Sequence, residues 1–283
     1  MKLIGLFGHP VSQSMSPAMH NAAFAEMGLP YMYCAFDIMP QAIEEAVNAA
    51  RTLQMVGFNL TIPHKQTVIP YLDDLDALAQ KSGAVNTVVN RDGRLIGYNT
   101  DGIGYVTSLE QEMQLAVKDA KILMIGAGGA ARGIFSALLD RGCSAITVYN
   151  RTMERAKMLV EDFSGLGMLN ATDQLQQATT EADIIINTTS VGMYPHYDEM
   201  PLEPEHIEAR HIVSDIIYNP YETKLLAQAK QRGARAHHGL GMFVYQGAIA
   251  FEKWTGHKPP VETMHQIVKQ MLLKNDHGRQ DKC

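Results

Sequence analysis

The sequence predicts an α/β fold in two domains, on three observations. The chain has 283 residues, more than one ordinary core holds. Short apolar runs alternate with helical patterns almost throughout, as expected of parallel sheets covered on both faces. A glycine-rich turn lies between one such run and a helix, and a second βα series starts there, near Lys121.

Leu3 to Phe7 reads as a strand. A polar loop, His9 to Ser16, leads into a helix over 17–27, with Pro17 placed to begin it and Gly28 to end it. Residues 31–38 read as a strand, 41–53 as a helix and 56–61 as a third strand. The stretch 73–82 reads as a helix closed by Gly83, and 85–89 with 94–98 as a hairpin turning at Arg91-Asp-Gly93. In the second series 122–125 and 145–149 are strands and 130–139 a helix. A further helix spans 152–163, with Thr152 as its cap, and 184–187 and 212–217 are core strands. After His237 come two helices, 242–254 and 261–273, and a polar tail from Lys274 that is expected to fray.

Composition narrows the class. Hydrophobic residues make up 46% and charged residues 19%, which is globular rather than disordered. A net charge of -6 argues against a nucleic-acid partner, which calls for a basic stripe. Cys34, Cys143 and Cys283 form no CxxC spacing, so a reducing cytoplasm is the expected setting. Residues 1–7 lack a signal-peptide pattern, and no run approaches the roughly 18 apolar residues of a membrane span. The eleven histidines show no H-x-x-x-H spacing, and no metal is expected. The seventeen methionines read as core filler.

Gly126-x-Gly128-x-x-Ala131 follows a strand and opens a helix. The first glycine permits the tight turn, the second lets the backbone approach a diphosphate, and the small third residue allows close helix–strand packing. The helix N-terminus then offers N–H groups to the anion. Gly126, Ala127, Gly128, Gly129 and Ala130 are thus candidate contacts for a nicotinamide dinucleotide in a Rossmann-type domain. Where an NAD site places Asp or Glu at the end of the next strand, this chain has Asn150, Arg151 and Thr152. Arg155 is four residues from Arg151, so both guanidiniums can share one face and suit a 2′-phosphate. The expected cofactor is therefore NADP.

Four polar segments mark loop or strand-end positions: Ser14-Met-Ser16, Asn59-Leu-Thr-Ile-Pro-His-Lys65, Gly83-Ala-Val-Asn-Thr87 and Asn99-Thr-Asp101. Asn59 and Thr61 are two apart on a strand and should face the same way. Ser16 also fits a plain helix cap before Pro17. With the glycine loop and Gly241-Met-Phe-Val-Tyr-Gln246, these segments closely resemble the shikimate dehydrogenase family, from about Leu3 to Val268. The resemblance implies reversible reduction of 3-dehydroshikimate to shikimate with NADPH, a step toward chorismate and the aromatic amino acids. It implies an N-terminal α/β substrate domain, residues 1–102 and 239–283, around a Rossmann-type NADP-binding domain, residues 103–238, with a cleft between.

By the same resemblance Ser14 and Ser16 bind the substrate carboxylate, which suits hydroxyls at a helix N-terminus. Asn59, Thr61, Asn86 and Asp101 bond ring hydroxyls, and Tyr218 and Gln246 are further substrate contacts. Lys65 and Asp101 match the catalytic pair. An ammonium can donate the proton that ketone reduction needs. A nearby carboxylate favours the charged form, so Asp101 reads mainly as an orienting partner. Lys65 is either the acid–base or an electrostatic anchor. His64 is a rival acid by chemistry but reads as structural, because the family motif puts the amine beside it. On the cofactor side the resemblance marks Thr188, Ser190 and Met193, and Ile216 where the family often has Met. It also marks Gly239 and Met242, where the chain returns to the first domain. The expected partners are small molecules, with the protein a monomer or homodimer. Alternatives are a dual quinate/shikimate enzyme, a methylenetetrahydrofolate dehydrogenase, and an NADP-binding sensor without turnover.

Overall fold

A computed structural model describes residues 1–143 and 145–280, with side chains described as far as Lys274 apart from that gap. The chain divides into two compact units. The first holds Met1–Asp101 and Val244–Met271; the second holds Gly102–Phe243 and the chain from Leu272 on.

The first unit contains β1 (Lys2–Gly8), α1 (Ser16–Glu26), β2 (Tyr31–Asp37), α2 (Ile43–Thr52), β3 (Gly57–Leu60), α3 (His64–Thr67), β4 (Asp74–Leu75), α4 (Ala77–Ser82), β5 (Thr87–Arg91) and β6 (Arg94–Tyr98). Its sheet runs β2-β1-β3-β5-β6-β4. The order is mixed rather than all parallel, because β5 is antiparallel to both β3 and β6. The hairpin turn at Asp92 and Gly93, both at positive φ, imposes that reversal.

Alternation along each strand sorts side chains to two faces. Phe7, Phe58 and Leu60 join Ile43 and Val47 of α2 in one core, with Phe7 and Phe58 stacked at 4.5 Å. Asn59 takes the opposite parity, and Trp254 reaches across Gly57 to donate its indole N–H to Val88 O at 2.9 Å.

Two expected elements change. The stretch 73–82 is not one helix, because Asp74 and Leu75 pair with β6. Asp76 caps α4 by accepting from Ala79 N at 2.8 Å. The third strand stops at Leu60, so Thr61 lies beyond it and the two-apart argument for Asn59 and Thr61 does not apply.

α5 (Asp101–Met113) starts at the last residue of the first unit and continues into the second. The second unit then runs β7 (Lys121–Ile125), α6 (Gly129–Asp140), β8 (Ala145–Tyr149), α7 (Met153–Glu161), β9 (Met168–Thr172), α8 (Leu175–Glu181), β10 (Ile184–Asn187), β11 (Ile212–Asp215), α9 (Lys224–Gln231) and β12 (Arg235–His237). Next come α10 (Gly239–Thr255) and α11 (Val261–Gln280). The strands pair in parallel throughout, in the order β12-β11-β10-β7-β8-β9. Chain order reverses between β7 and β10, the point at which α/β sheets hold ligands beyond their strand ends.

The half-exposed strand β9 and the short β12 escape sequence reading, because neither shows a clean apolar alternation. Thr152 occupies the cap position of α7, but its side chain makes no cap bond; Asn150 instead donates Nδ2 to Thr152 O at 2.8 Å. Gly239 and Met242 fall in the second unit, because the boundary lies after Phe243. α11 continues past Lys274 to Gln280, and residues 281–283 of the polar tail lie outside the described residues.

Each unit buries a neutral histidine. His20 stacks on Tyr33 at 4.5 Å, and neither ring nitrogen meets a partner among the described residues. His237 lies between Ser108 at 2.7 Å and Ser214 at 2.8 Å. Burial holds both imidazoles down at about 3. The unfolded chain then binds protons at these sites between about pH 6.5 and that value while the folded chain does not, so stability falls as pH falls. Asp215 opposes this in part, since burial pushes its carboxyl up to about 6 and protonation favours its folded form. Melting temperature is therefore expected to drop from about pH 7 to about pH 5. His20→Phe should flatten that drop, and parallel curves for parent and variant would refute the assignment.

Candidate active site

The polar segments of the first unit meet at one edge of its sheet. β3 and β6 run the same way and end there, while β5 runs opposite and begins there. This brings together Asn59 from the end of β3, Lys65 from α3, Asn86 ahead of β5, and Asn99, Thr100 and Asp101 after β6.

Lys65 donates its Nζ to Asp101 Oδ2 at 2.5 Å, with both side chains partly exposed. Asn86 donates Nδ2 to Asp101 Oδ1 at 2.8 Å, to Thr100 Oγ1 at 2.9 Å and to Gln246 Oε1 at 3.3 Å. Asp101 opens α5, and its own N–H donates to Asn99 Oδ1 at 3.1 Å. A carboxylate in the first turn of a helix is favoured by the dipole. Behind this pair, Asn86 Oδ1 accepts from Thr100 N at 2.8 Å and Thr87 Oγ1 at 3.0 Å. Asn59 donates Nδ2 to Asn86 O and Thr87 Oγ1, each at 2.9 Å, and accepts from the Tyr33 phenol at 2.7 Å. The network is thus buried and bonded at its base and partly open at the Lys65–Asp101 end. An ammonium held between a fixed carboxylate and solvent can pass a proton to a ligand oxygen.

Ser16 is buried and opens α1, while Ser14 is half-buried. Ser16 is not the cap: its N–H donates to Ser14 Oγ at 3.3 Å, and Met15 holds the cap position. Thr61 is half-buried and its N–H donates to Phe7 O at 3.0 Å. His64 is fully buried with Nε2 at 2.7 Å from Ile38 O, a packing role rather than an acid facing a ligand. Tyr33, Thr87 and Thr100 belong to the network without having been singled out from sequence. Thr87 and Thr100 lie inside polar segments, but Tyr33 sits in an ordinary-looking strand and carried no signal.

In the second unit Gly126 has φ 112°, and a Cβ there would lie 2.5 Å from Thr188 Oγ1. Only glycine fits this turn. Thr188 is buried and donates Oγ1 to Ile125 O at 2.8 Å, which ties the ends of β7 and β10 at the switch point. Gly128, Gly129 and Ala130 are exposed and Ala127 half-buried. Nothing lies within 4 Å of a Cβ at Gly128 or Gly129, and no side chain caps α6. The first-turn N–H groups have no intrahelical partner, so the loop is an open cradle that fits a diphosphate.

Asn150 is half-buried, and Arg151, Thr152 and Arg155 are exposed, all following the end of β8, next to β7 in the sheet. Ser190 and Met193 are exposed on the loop after β10, and Ile216 is half-buried after β11. Tyr218 packs its ring 5.1 Å from Phe243, and burial pushes its phenol up. Gly239 is buried against Ile216 O, and Met242 packs on the Tyr105–Ile134 core. Among the described residues no cluster of three His, Cys, Asp or Glu side chains is placed to hold a metal, and no helix is long and apolar enough to cross a membrane.

Three family descriptions match the chain in sequence. The shikimate dehydrogenase substrate binding domain matches residues 6–88, shikimate / quinate 5-dehydrogenase 108–201, and the shikimate 5'-dehydrogenase C-terminal domain 239–269. A shikimate dehydrogenase (NADP(+)) of Geobacillus kaustophilus is 52% identical over 96% of this chain and 99% of its own. A crystal structure of a shikimate dehydrogenase in complex with NADP+ superposes with a TM-score of 0.88 at 43% identity, covering 96% of each chain. Shikimate 5-dehydrogenase of Thermus thermophilus, solved with NADP(H) and shikimate, gives 0.87 at 36% identity, over 95% of this chain and 99% of that one. Motif order, fold and full-length similarity agree, and the chain belongs to the shikimate dehydrogenase family.

Proposed function

We propose that the chain catalyses the reversible, NADPH-dependent reduction of 3-dehydroshikimate to shikimate. The observation that carries the reading is the Lys65–Asp101 pair, held by Asn86 at the ligand-side edge of the first sheet. When bound, NADPH supplies the hydride. Lys65 has three N–H donors; one is held by Asp101, and another can deliver a proton to the carbonyl oxygen as it becomes an alcohol. In the oxidising direction the lysine amine takes that proton back. Asp101 keeps the amine aimed and balances its charge. Asn59, Thr61, Asn86 and Asp101 bond ring hydroxyls, with Tyr218 and Gln246 as further contacts. Ser14 and Ser16 take the carboxylate at the start of α1, where the helix dipole favours an anion.

Residues 126–130 hold the diphosphate. Asn150, Arg151, Thr152 and Arg155 take the adenosine 2′-phosphate end. Thr188, Ser190, Met193, Ile216, Gly239 and Met242 line the nicotinamide end. Residues 1–102 with 239–283 serve chiefly substrate and 103–238 chiefly cofactor, with Gly239, Met242 and Tyr218 as exceptions. The enzyme works in the cytoplasm as a monomer or homodimer.

The test is an absorbance assay in the NADPH band that crosses shikimate and quinate with NADP and NAD. Shikimate with NADP should give the highest kcat/KM; equal rates with quinate and NAD would favour the dual enzyme instead. Arg151→Ala should weaken NADP by about 1–3 kcal/mol, the worth of a charged hydrogen bond. NADP binding as tight as the parent's would remove Arg151 from the site.

A further inference from the structure

The phenol of Tyr33 lies outside the motifs that carry the substrate reading, yet it is bonded into the same network. Tyr33 on β2 pairs with Ile4 of β1, and Asn59 on β3 pairs with Leu6 of β1. Paired residues of neighbouring strands share a face, so the phenol reaches over β1 to donate to Asn59 Oδ1 at 2.7 Å. Both amide hydrogens of Asn59 are already committed to Asn86 O and Thr87 Oγ1. The amide cannot turn over without losing these bonds. What it offers a ligand is the second lone pair of Oδ1, an acceptor for a hydroxyl.

Tyr33 is gripped at its other end by α1. Asn21 donates Nδ2 to Tyr33 O at 2.9 Å and accepts from Tyr33 N at 2.8 Å. His20 stacks on the Tyr33 ring with an interplanar angle of 14°. Burial pushes the Tyr33 phenol up, so it stays a neutral donor, and the Ser16 side chain opposes that rise in part. The helix that clamps Tyr33 is therefore the one whose start carries Ser14 and Ser16.

We propose that Tyr33 is a positioning residue for the substrate site, its phenol keeping the Asn59 acceptor in register with the N-terminus of α1. The proposal rests on the reading in which Ser14 and Ser16 take the carboxylate and Asn59 a ring hydroxyl. A ring acid must then satisfy both ends across a distance that Tyr33 sets. Losing the hydroxyl leaves the ring stack and both Asn59 donor bonds in place and releases only the Oδ1 end, which weakens binding more than chemistry.

The experiment is steady-state kinetics of full-length Tyr33→Phe with shikimate and NADP. Shikimate KM should rise about three- to tenfold, with kcat within about twofold, as for loss of one neutral hydrogen bond used in binding. NADP KM and melting temperature should stay close to the parent's, which checks the fold. Ser16→Ala and Asn59→Ala should each raise shikimate KM. Adding Tyr33→Phe to Asn59→Ala should raise it no further, because the phenol acts through that amide. Multiplying effects in the double variant, or a rise in both KM values, would make Tyr33 merely structural and overturn the proposal. An unchanged KM in Tyr33→Phe, with Asn59→Ala and Ser16→Ala impaired, would overturn the positioning role alone. Unimpaired Asn59→Ala and Ser16→Ala would overturn the substrate reading and the positioning role with it.

Discussion

Lys65→Ala is expected to lower kcat by about 10²–10⁴-fold with little change in shikimate KM, the range for loss of a positioned general acid–base. The contacts of the side chain are compatible with that role and give it no structural one. It lies on a four-residue helix, partly exposed, and its amine is directed onto Asp101. Its backbone carbonyl, not its side chain, does the structural work there, by accepting from Val85 N at 2.7 Å. Alanine keeps that bond, so the fold of the segment should survive. Steady-state kinetics with shikimate and NADP separate the two roles left open by sequence. A fall confined to kcat identifies the acid–base. A rise in KM at unchanged kcat identifies an anchor that binds ground state and transition state alike.

The second large effect is expected from Asp101→Asn, with kcat/KM falling by roughly 10–10²-fold, the equivalent of one unpartnered donor at about 1–3 kcal/mol. Asp101 accepts on both oxygens, from Lys65 on Oδ2 and from Asn86 on Oδ1. An amide has one acceptor and one donor end. Whichever way it turns, an N–H faces either the Lys65 amine or the Asn86 amide, and one of the two loses its hold. The change preserves shape, so a melting curve close to the parent's together with reduced kcat/KM separates function from folding. Parent-like kcat/KM in this variant would show that the carboxylate charge does not orient Lys65.

Much of this protein was legible in its sequence, and the limits follow from range of interaction. The glycine loop, Arg151 after β8 and the polar segments of the first unit are local patterns, and local patterns report local geometry. Gly126 is an example: its turn demands a positive φ whatever surrounds it, and the structure adds only that Thr188 sits where a Cβ would be. Strands with continuous apolar runs, such as β7 and β10, were equally plain. The edge strand β9 was not, because a strand exposed on one side carries half the pattern. The stretch at Asp73 departs from its helical spacing for a related reason. Its helical spacing was real, but pairing with β6 claimed Asp74 and Leu75 before the helix could start at the Asp76 cap.

The sequence by itself determined the class of fold, the family resemblance and which polar residue types stand at strand ends. The tertiary structure decided how those residues are bonded to one another. Lys65, Asn86 and Asp101 come from separate segments, and Gln246 lies 160 residues beyond Asn86. Only the mixed order of the first sheet brings them to one edge. The same holds for Tyr33, whose importance depends on reaching over β1 to Asn59. Hydrogen bonds act over about 3 Å, and which groups come that close is set by strand order and register.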